Sequence, residues 1–377
     1  MASKLSITLD KVKRQRMTET MPLVHIPDEI IDEILSRVPV KSLLRFKCVC
    51  KHWHSQISDP SFRHKRETES ILIIKSKTRT ISLHSIDGDK VVTESFPIPC
   101  NEKIYDGKKT FVSNSCNGLV IICFGNSFFL FNPSTRYLAK VLELNYLRFN
   151  STVVVGLCYD ASTKDYKVVI RFTHHSAHVK YVVAASLKTK RWVQIDFPFN
   201  VASTKAGPIV NGRMHWTVDD KSNQYPLSTK IICFDACANL FEEFPSPQSN
   251  FRDENAIVGL GVLGECLCMV RRIFHTVEIL IMKEYGVRES WMSLSIKTFF
   301  FPPYIFIKNG EILGNWYKVF EYNPHKKTKR KFDLLNSNDL LNAVSLVQNV
   351  ASPVGYEWDW IQHAKHGSNI EWLRNGR

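Results

Sequence analysis

Between residues 27 and 57 apolar positions recur at helical spacing, and from about residue 70 they alternate in short runs separated by turn signals. In "HIPDEIIDEILSRVP", Ile31, Ile34, Leu35 and Val38 follow Ile30 at one, four, five and eight residues, which draws one broad apolar stripe on a helix. Pro27 suits the first turn, where its missing N–H costs nothing. Asp28 and Glu29 stand near the positive end of the helix dipole and Arg37 near the negative end. Pro39 ends the helix. A second is predicted in "VKSLLRFKCVC", with Leu43, Leu44, Phe46 and Val49, and a third in "KHWHSQIS", with Trp53 and Ile57.

A unit of three such short helices is near the lower limit for independent stability. Its apolar positions face more than one way, because Ile30 and Ile34 cannot pack where Leu43, Phe46 and Trp53 pack. Each surplus side chain would gain about 1.5–3 kcal/mol on burial. Either a partner polypeptide completes the core in a helix-in-groove manner, or the surplus packs on this chain's own strand-rich part. The pattern leaves both open.

The rest reads as a repeat. A Gly-led hairpin signal precedes alternating runs in "NGLVIICF", "NGRMHWTV", "LGECLCMV" and "NGEILGNW". A second turn follows an apolar run in "LFNPSTRYLAKV", "ASLKTKRWVQI", "CFDACANLFEEF", "IMKEYGVRESWMSL" and "EYNPHKKTKRKF", with "SLHSIDGDKVVTESF" as a sixth member. Two turn types per unit imply about four strands per unit, hence a β-propeller of about six blades over residues 70–353. Trp192, Trp216, Trp291 and Trp316 recur at comparable places, and packing between blades is the role expected of them.

Composition changes this picture little. Hydrophobic residues make up 44% and charged residues 23%, which fits a folded chain. The opening residues lack a secretory apolar segment, and "FFFPPYIFI" is too short and proline-broken to span a bilayer, so a soluble intracellular protein with no membrane partner is expected. Ten cysteines without a C-x-x-C pair, most of them inside apolar runs, predict reduced, buried thiols rather than disulfides or zinc. The net charge of +14 is spread along the chain, with clusters only at "KVKRQR" and "HKKTKRK", which argues against a nucleic-acid stripe.

No catalyst emerges. His174, His175 and His178 fall between two strand-like runs and read as a loop rather than a metal site. Cys233 and Cys237 flank a turn without a histidine, and Cys266 and Cys268 share a strand face. The pairs Asp219–Asp220 and Glu242–Glu243 point to opposite faces and form no acid/base dyad. No cofactor motif occurs.

Residues Ile26-Pro27, Glu29-Ile30, Glu33-Ile34-Leu35, Val38-Pro39-Val40-Lys41-Ser42-Leu43-Leu44 and "RFKCVCKHW" closely resemble an F-box of the plant type. The one departure is Ile26, where the family usually has Leu. Residues 70–353, through "SCNGLV", "LFNPSTR", "GLCYDASTKDYKVV", "NGRMHW" and "AVSLVQNVASP", resemble the F-box-associated, kelch-like domain. "HHSAH" and the turn in "CFDACANLFEE" depart from that pattern. The resemblance implies a small all-α F-box over 23–66 after a basic tail 1–22, then an all-β propeller, then a tail 354–377. It implies that Ile26, Pro27, Ile30, Ile31, Ile34, Leu35, Val38, Pro39, Leu43, Leu44, Phe46, Cys50 and Trp53 bind a Skp-type adaptor and, through it, a cullin. The function it implies is a non-catalytic receptor that brings a protein substrate to ubiquitination, in the nucleus and/or cytoplasm. The alternatives are a propeller-fold enzyme, a glycan or metabolite receptor carrying an F-box, and a nucleic-acid binder.

Overall fold

The computed structural model describes residues 26–59, 62, 69–75, 80–87, 90–98, 110–124, 127–143, 154–173, 180–197, 200–201, 207–219, 229–247, 257–273, 276–296, 303–306, 312–314, 319–323, 328–332 and 343–350. The tails, the His174–His178 run, Cys100, Trp316 and the tryptophans after residue 353 lie outside them.

Three helices come first: α1 (Asp28–Arg37), α2 (Val40–Phe46) and α3 (Lys51–Ser58). Pro27 and Pro39 stand at the N-caps of α1 and α2, one residue before the first turn, each with extended ψ. Proline serves there because its ring presets φ and no intrahelical N–H is lost. The cap of α3 is Cys50, whose sulfur accepts from the Trp53 N–H at 3.4 Å.

Six antiparallel sheets follow among the described residues. The first holds β1 (Glu69–Lys75), β2 (Thr80–Asp87) and β3 (Lys90–Pro97), and β25 (Ala343–Val347) from the far end of the chain forms its inner edge beside β1. The second is β4 (Thr110–Cys116), β5 (Leu119–Phe124), β6 (Ser127–Asn132) and β7 (Tyr137–Glu143). The third is β8 (Val154–Asp160), β9 (Asp165–Thr173), β10 (Lys180–Ser186) and β11 (Trp192–Ile195). The fourth has a broken inner edge, β12 (Asn200–Val201) and β13 (Ile209–Val210), then β14 (Arg213–Asp219), β15 (Thr229–Asp235) and β16 (Leu240–Phe244). The fifth is β17 (Ile257–Leu263), β18 (Cys266–Ile273), β19 (Thr276–Met282) and β20 (Trp291–Ile296). The sixth is β21 (Pro303–Phe306), β22 (Ile312–Gly314), β23 (Val319–Asn323) and β24 (Thr328–Phe332).

Inner strands meet in turn: β25 with β4, β4 with β8, β17 with β21, and β21 with β25, while β14 bridges β8 and β17 in the fourth blade. The ring is therefore closed, with the last described strand completing the first blade. The core lies between blades. Ile121, Phe128 and Leu130 of the second blade pack on Val168 and Ile170 of the third, and Val169 and Val182 of the third pack on Met214, Trp216 and Phe234 of the fourth. Trp192, Trp216 and Trp291 all sit in such seams, and the Trp291 indole N–H donates to the Pro245 carbonyl at 2.9 Å.

The two turn families have distinct structures. Asn117-Gly118 and Asn211-Gly212 join first to second strands with both residues at positive φ, as a tight hairpin needs. The second family is a five-residue turn: Asn132–Arg136, Asp160–Lys164, Ser186–Lys190 and Asp235–Asn239. Its first side chain accepts from a backbone N–H two or three residues on, at 2.7 Å from Ser134, 2.9 Å from Ser162, 3.0 Å from Thr189 and 2.8 Å from Cys237. Its fifth residue (Arg136, Lys164, Lys190 or Asn239) takes positive φ, a strain of about 1–2 kcal/mol that the cap offsets. The turn at Asp235–Asn239 is thus regular, and the departure expected in "CFDACANLFEE" is only one of letters.

Gly118 is the tightest of these positions. Its φ is +73°, and a Cβ there would lie 2.6 Å from the Asn349 Cβ and 2.8 Å from the Val347 oxygen. At Gly264, φ is +54° with open space around it. Gly118→Ala is expected to cost several kcal/mol and Gly264→Ala about 1 kcal/mol, read from urea unfolding midpoints. Equal costs would contradict the close approach.

Candidate functional site

The helical module divides its apolar residues in two. Leu35, Val40, Leu43 and Ile57 are fully buried and pack with Val350 from the propeller's closing segment. Ile31, Val38, Leu44, Phe46, Trp53 and Phe62 border that cluster, half-buried, with the Phe46 and Trp53 ring centroids 5.4 Å apart. Ile26, Ile30 and Ile34, spaced by four along α1 and its lead-in, face outward at 48%, 51% and 51% exposure. Val49, after α2, is 62% exposed.

These positions correct the stripe read from sequence. Residues 30, 31, 34, 35 and 38 do not share one face: Ile31, Leu35 and Val38 turn inward, and Ile30 and Ile34 turn out. Leu35 and Leu43, expected in an adaptor contact, are sealed at 0% exposure in the module's own core. They act on any docking face from beneath it. Pro27, Pro39 and Cys50 are exposed.

Polar bonds hold α3 against α1. The Gln56 amide donates to the Asp32 carboxylate at 2.8 Å, and His52 Nε2 lies 3.5 Å from Asp28 Oδ1. Arg37 pairs with Glu33 one turn earlier. These contacts leave the Ile26–Ile30–Ile34 row uncovered. The module itself is tied to the propeller. Lys47 Nζ donates to the Val350 carbonyl at 3.0 Å, and Glu94 on β3 pairs with Lys41 of α2 and with Arg136 of the second blade. Hydrogen bonds from Lys41 and Arg136 hold the Glu94 carboxyl below its usual range.

No group of three or more potential metal ligands occurs among the described residues, and no described helix is long and apolar enough to cross a membrane. Glu242 and Glu243 serve separate cations, Arg213 and Lys230, each at 2.9 Å. Cys116, Cys123, Cys158, Cys233 and Cys268 are buried free thiols, and burial pushes Cys116 up to about 12, far from a nucleophile. Cys48, Cys50 and Cys237 are exposed, so burial does not extend to every cysteine.

Two buried imidazoles carry a pH dependence instead. Burial foremost, with Lys75 adding its charge at His84 and Arg213 at His215, lowers each histidine from 6.5 to about 4. His215 Nδ1 lies 3.3 Å from the Pro208 carbonyl, which can only accept, so Nδ1–H donates to it and Nε2 accepts a hydrogen bond from the Tyr285 hydroxyl at 3.0 Å. The unfolded chain binds these protons near pH 6.5 and the folded chain only near 4. Stability therefore falls as pH drops between those values, by about 1–2 kcal/mol per histidine at pH 5. Asp160, Glu94 and Glu278 have lowered carboxyls that stay ionised there. Unfolding midpoints at pH 7 and 5 check this, and His215→Gln should remove about half of the difference, leaving the part due to His84.

Comparison with known proteins gives the same division of the chain. An F-box domain family model matches residues 23–65, and one for the F-box associated beta propeller domain matches residues 68–346. F-box/kelch-repeat protein At3g23880 of Arabidopsis thaliana is 29% identical over 297 residues, covering 72% of this chain and 79% of its own. F-box protein CPR1 of the same plant is 27% identical over 331 residues, covering 76% and 78%. Among solved structures, TolB from Acinetobacter baumannii aligns over 74% of this chain and 66% of its own, at 10% identity and a TM-score of 0.44.

Proposed function

The chain belongs to the family of F-box proteins with an F-box associated beta propeller domain, and on that premise we propose that it is a non-catalytic substrate receptor of a Skp–cullin–F-box ubiquitin ligase. One observation carries the reading: an outward row of Ile26, Ile30 and Ile34 stands beside a core that is already sealed by Leu35, Val40, Leu43 and Ile57. Large aliphatic side chains at i, i+4 and i+8 are the anchors a groove takes from a helix. Burying their exposed halves contributes about 1–1.5 kcal/mol each. A Skp-type adaptor supplies the groove, and the adaptor links the chain to a cullin.

The propeller then holds the protein substrate. Its first–second and third–fourth turns open on the face that meets the module, since Gly118 and Asn132 both contact Asn349 beside Val350. The widest intervals between successive strands leave from the opposite rim: Pro97 to Thr110, Glu143 to Val154, Asp219 to Thr229, Phe244 to Ile257 and Phe332 to Ala343. Recognition belongs on that far face, where connections vary without disturbing the ring. Ubiquitin transfer follows from proximity: the receptor raises the effective concentration of substrate lysines, and other subunits do the bond chemistry. The place of work is the nucleus and/or cytoplasm.

Affinity purification tests this. Full-length chain should bring down a Skp-type adaptor and a cullin in near-equal amount. Ile34→Asp should lose both while keeping propeller-bound proteins, which then accumulate. Wild-type chain that is folded and expressed yet recovers no cullin would contradict the proposal.

A further inference from the structure

We propose that the helical module is a conditional fold: residues Gln348–Val350, which follow the strand that closes the propeller ring, complete its core, so that the docking face forms only in a chain whose ring has closed. The inference takes from the preceding reading only that the outward face of α1 docks an adaptor.

The module has few resources of its own. Among the described residues, four side chains of the helices, Leu35, Val40, Leu43 and Ile57, are buried in its core, and the fifth member is Val350, at 1% exposure. Val350 lies 303 residues beyond Lys47, whose ammonium caps its carbonyl. A three-helix piece of this size sits below the length at which domains usually fold alone, so one missing core residue weighs heavily. Burial also lowers the Lys47 pKa, consistent with an ammonium drawn from water onto that carbonyl.

The two residues before Val350 are held by the closed ring, which delivers Val350 to the module. The Gln348 amide donates to Ser70 Oγ at 2.9 Å and Ser85 Oγ at 2.8 Å, both on the first blade. The Asn132 amide of the second blade donates to the Asn349 carbonyl at 3.0 Å, and Asn349 presses against Gly118. Only when β25 has paired with β1, from Glu69↔Val347 to Ile73↔Ala343, does the next turn of chain reach the helices. Ring closure and core completion are thus one event. A chain that ends early, or a ring that opens, leaves the Ile26–Ile30–Ile34 row on an unsettled support. The same contacts, with the Lys41–Glu94–Arg136 link, fix the angle between docking face and propeller.

Hydrogen exchange on the full-length chain tests the coupling. With Val350→Asp, backbone amides in α1, α2 and α3 should exchange about tenfold or more faster, while those in β5, β6, β15 and β18 keep wild-type rates. Val350→Ala should give a smaller acceleration of the same helices. Adaptor affinity should fall about tenfold or more with Val350→Asp, in step with helix exchange. Helix exchange within about twofold of wild type in both variants would overturn the proposal. If Val350→Asp also loosens the strands, Val350→Ala decides by the same readout. Ile34→Asp separates the two readings: it should lose adaptor binding with helix exchange unchanged. If Ile34→Asp bound adaptor normally, the docking face would be misplaced, while the exchange result would still decide whether Val350 supports the helices.

Discussion

Ile34→Asp is expected to weaken binding to a Skp-type adaptor by about a hundredfold or more while leaving the thermal midpoint of the chain almost unmoved. The size follows from position. Ile34 is 51% exposed at the C-terminal end of the outward row, so aspartate there costs the free protein little. In a complex the same carboxylate would face the floor of an apolar groove, losing the burial of isoleucine and adding the desolvation of a charge. Leu35→Asp makes the contrast. Leu35 is fully buried with Leu43 and Ile57, so a charge there should unfold the helices and lose adaptor binding together with helical signal. Titration of adaptor into each variant, with circular dichroism alongside, separates the two. Equal loss of helix in both would contradict the division into inner and outer faces.

The second large effect lies far from that face, where the third and fourth blades meet. Lys167 on β9 reaches Asp160 at 2.9 Å, the Asn239 side chain at 3.0 Å and the Ala236 carbonyl across the seam. Burial would raise the Asp160 pKa, but hydrogen bonds from Ser162, Lys167, Cys237 and Thr163 outweigh it and hold the carboxyl well below its usual range. Lys167→Ala leaves that buried carboxylate without its cation and the Ala236 carbonyl without a donor. The expected loss is about 3 kcal/mol of unfolding free energy. Replacing both partners, Asp160→Asn with Lys167→Met, should recover most of it, because the cost lies in the orphaned charge more than in the pair. A loss under about 1 kcal/mol for Lys167→Ala would show that the turn's own N–H groups suffice to hold Asp160.

Much of the fold was legible in local chemistry. Asn117-Gly118 and Asn211-Gly212 announce hairpins because few other pairs accept two positive φ angles. Asn132, Asp160, Ser186 and Asp235 announce the second turn because their side chains can cap it. The fifth residue of that turn was not legible, since Arg136, Lys164 and Lys190 carry no sign of positive φ in their identity. The short apolar run "LVIICF" after Asn117-Gly118 marked a strand, but it and the neighbouring "SFFLFN" are buried on both faces, which a strand between two blades requires and one sequence cannot distinguish from a sandwich core.

The docking face was legible in part. Helical periodicity gathered Ile30, Ile31, Ile34, Leu35 and Val38 into one stripe, yet a stripe that wide has two edges, and only neighbours decide which edge is sealed. Those neighbours include Val350, hundreds of residues later, which no periodicity in the helices could reveal. Nothing in "VQNVASP" marks it as part of a helical core. Contacts that distant in sequence are set by closure of the ring, and they emerge only with the fold in view.

The most direct measurement is the footprint of a Skp-type adaptor on the full-length chain, read as slowed hydrogen exchange and side-chain labelling on adding the adaptor. The account predicts protection confined to residues 26–34 and to the segment from Phe46 to Trp53, with the propeller strands unchanged. Protection centred on the blades, or none in the presence of saturating adaptor, would contradict it.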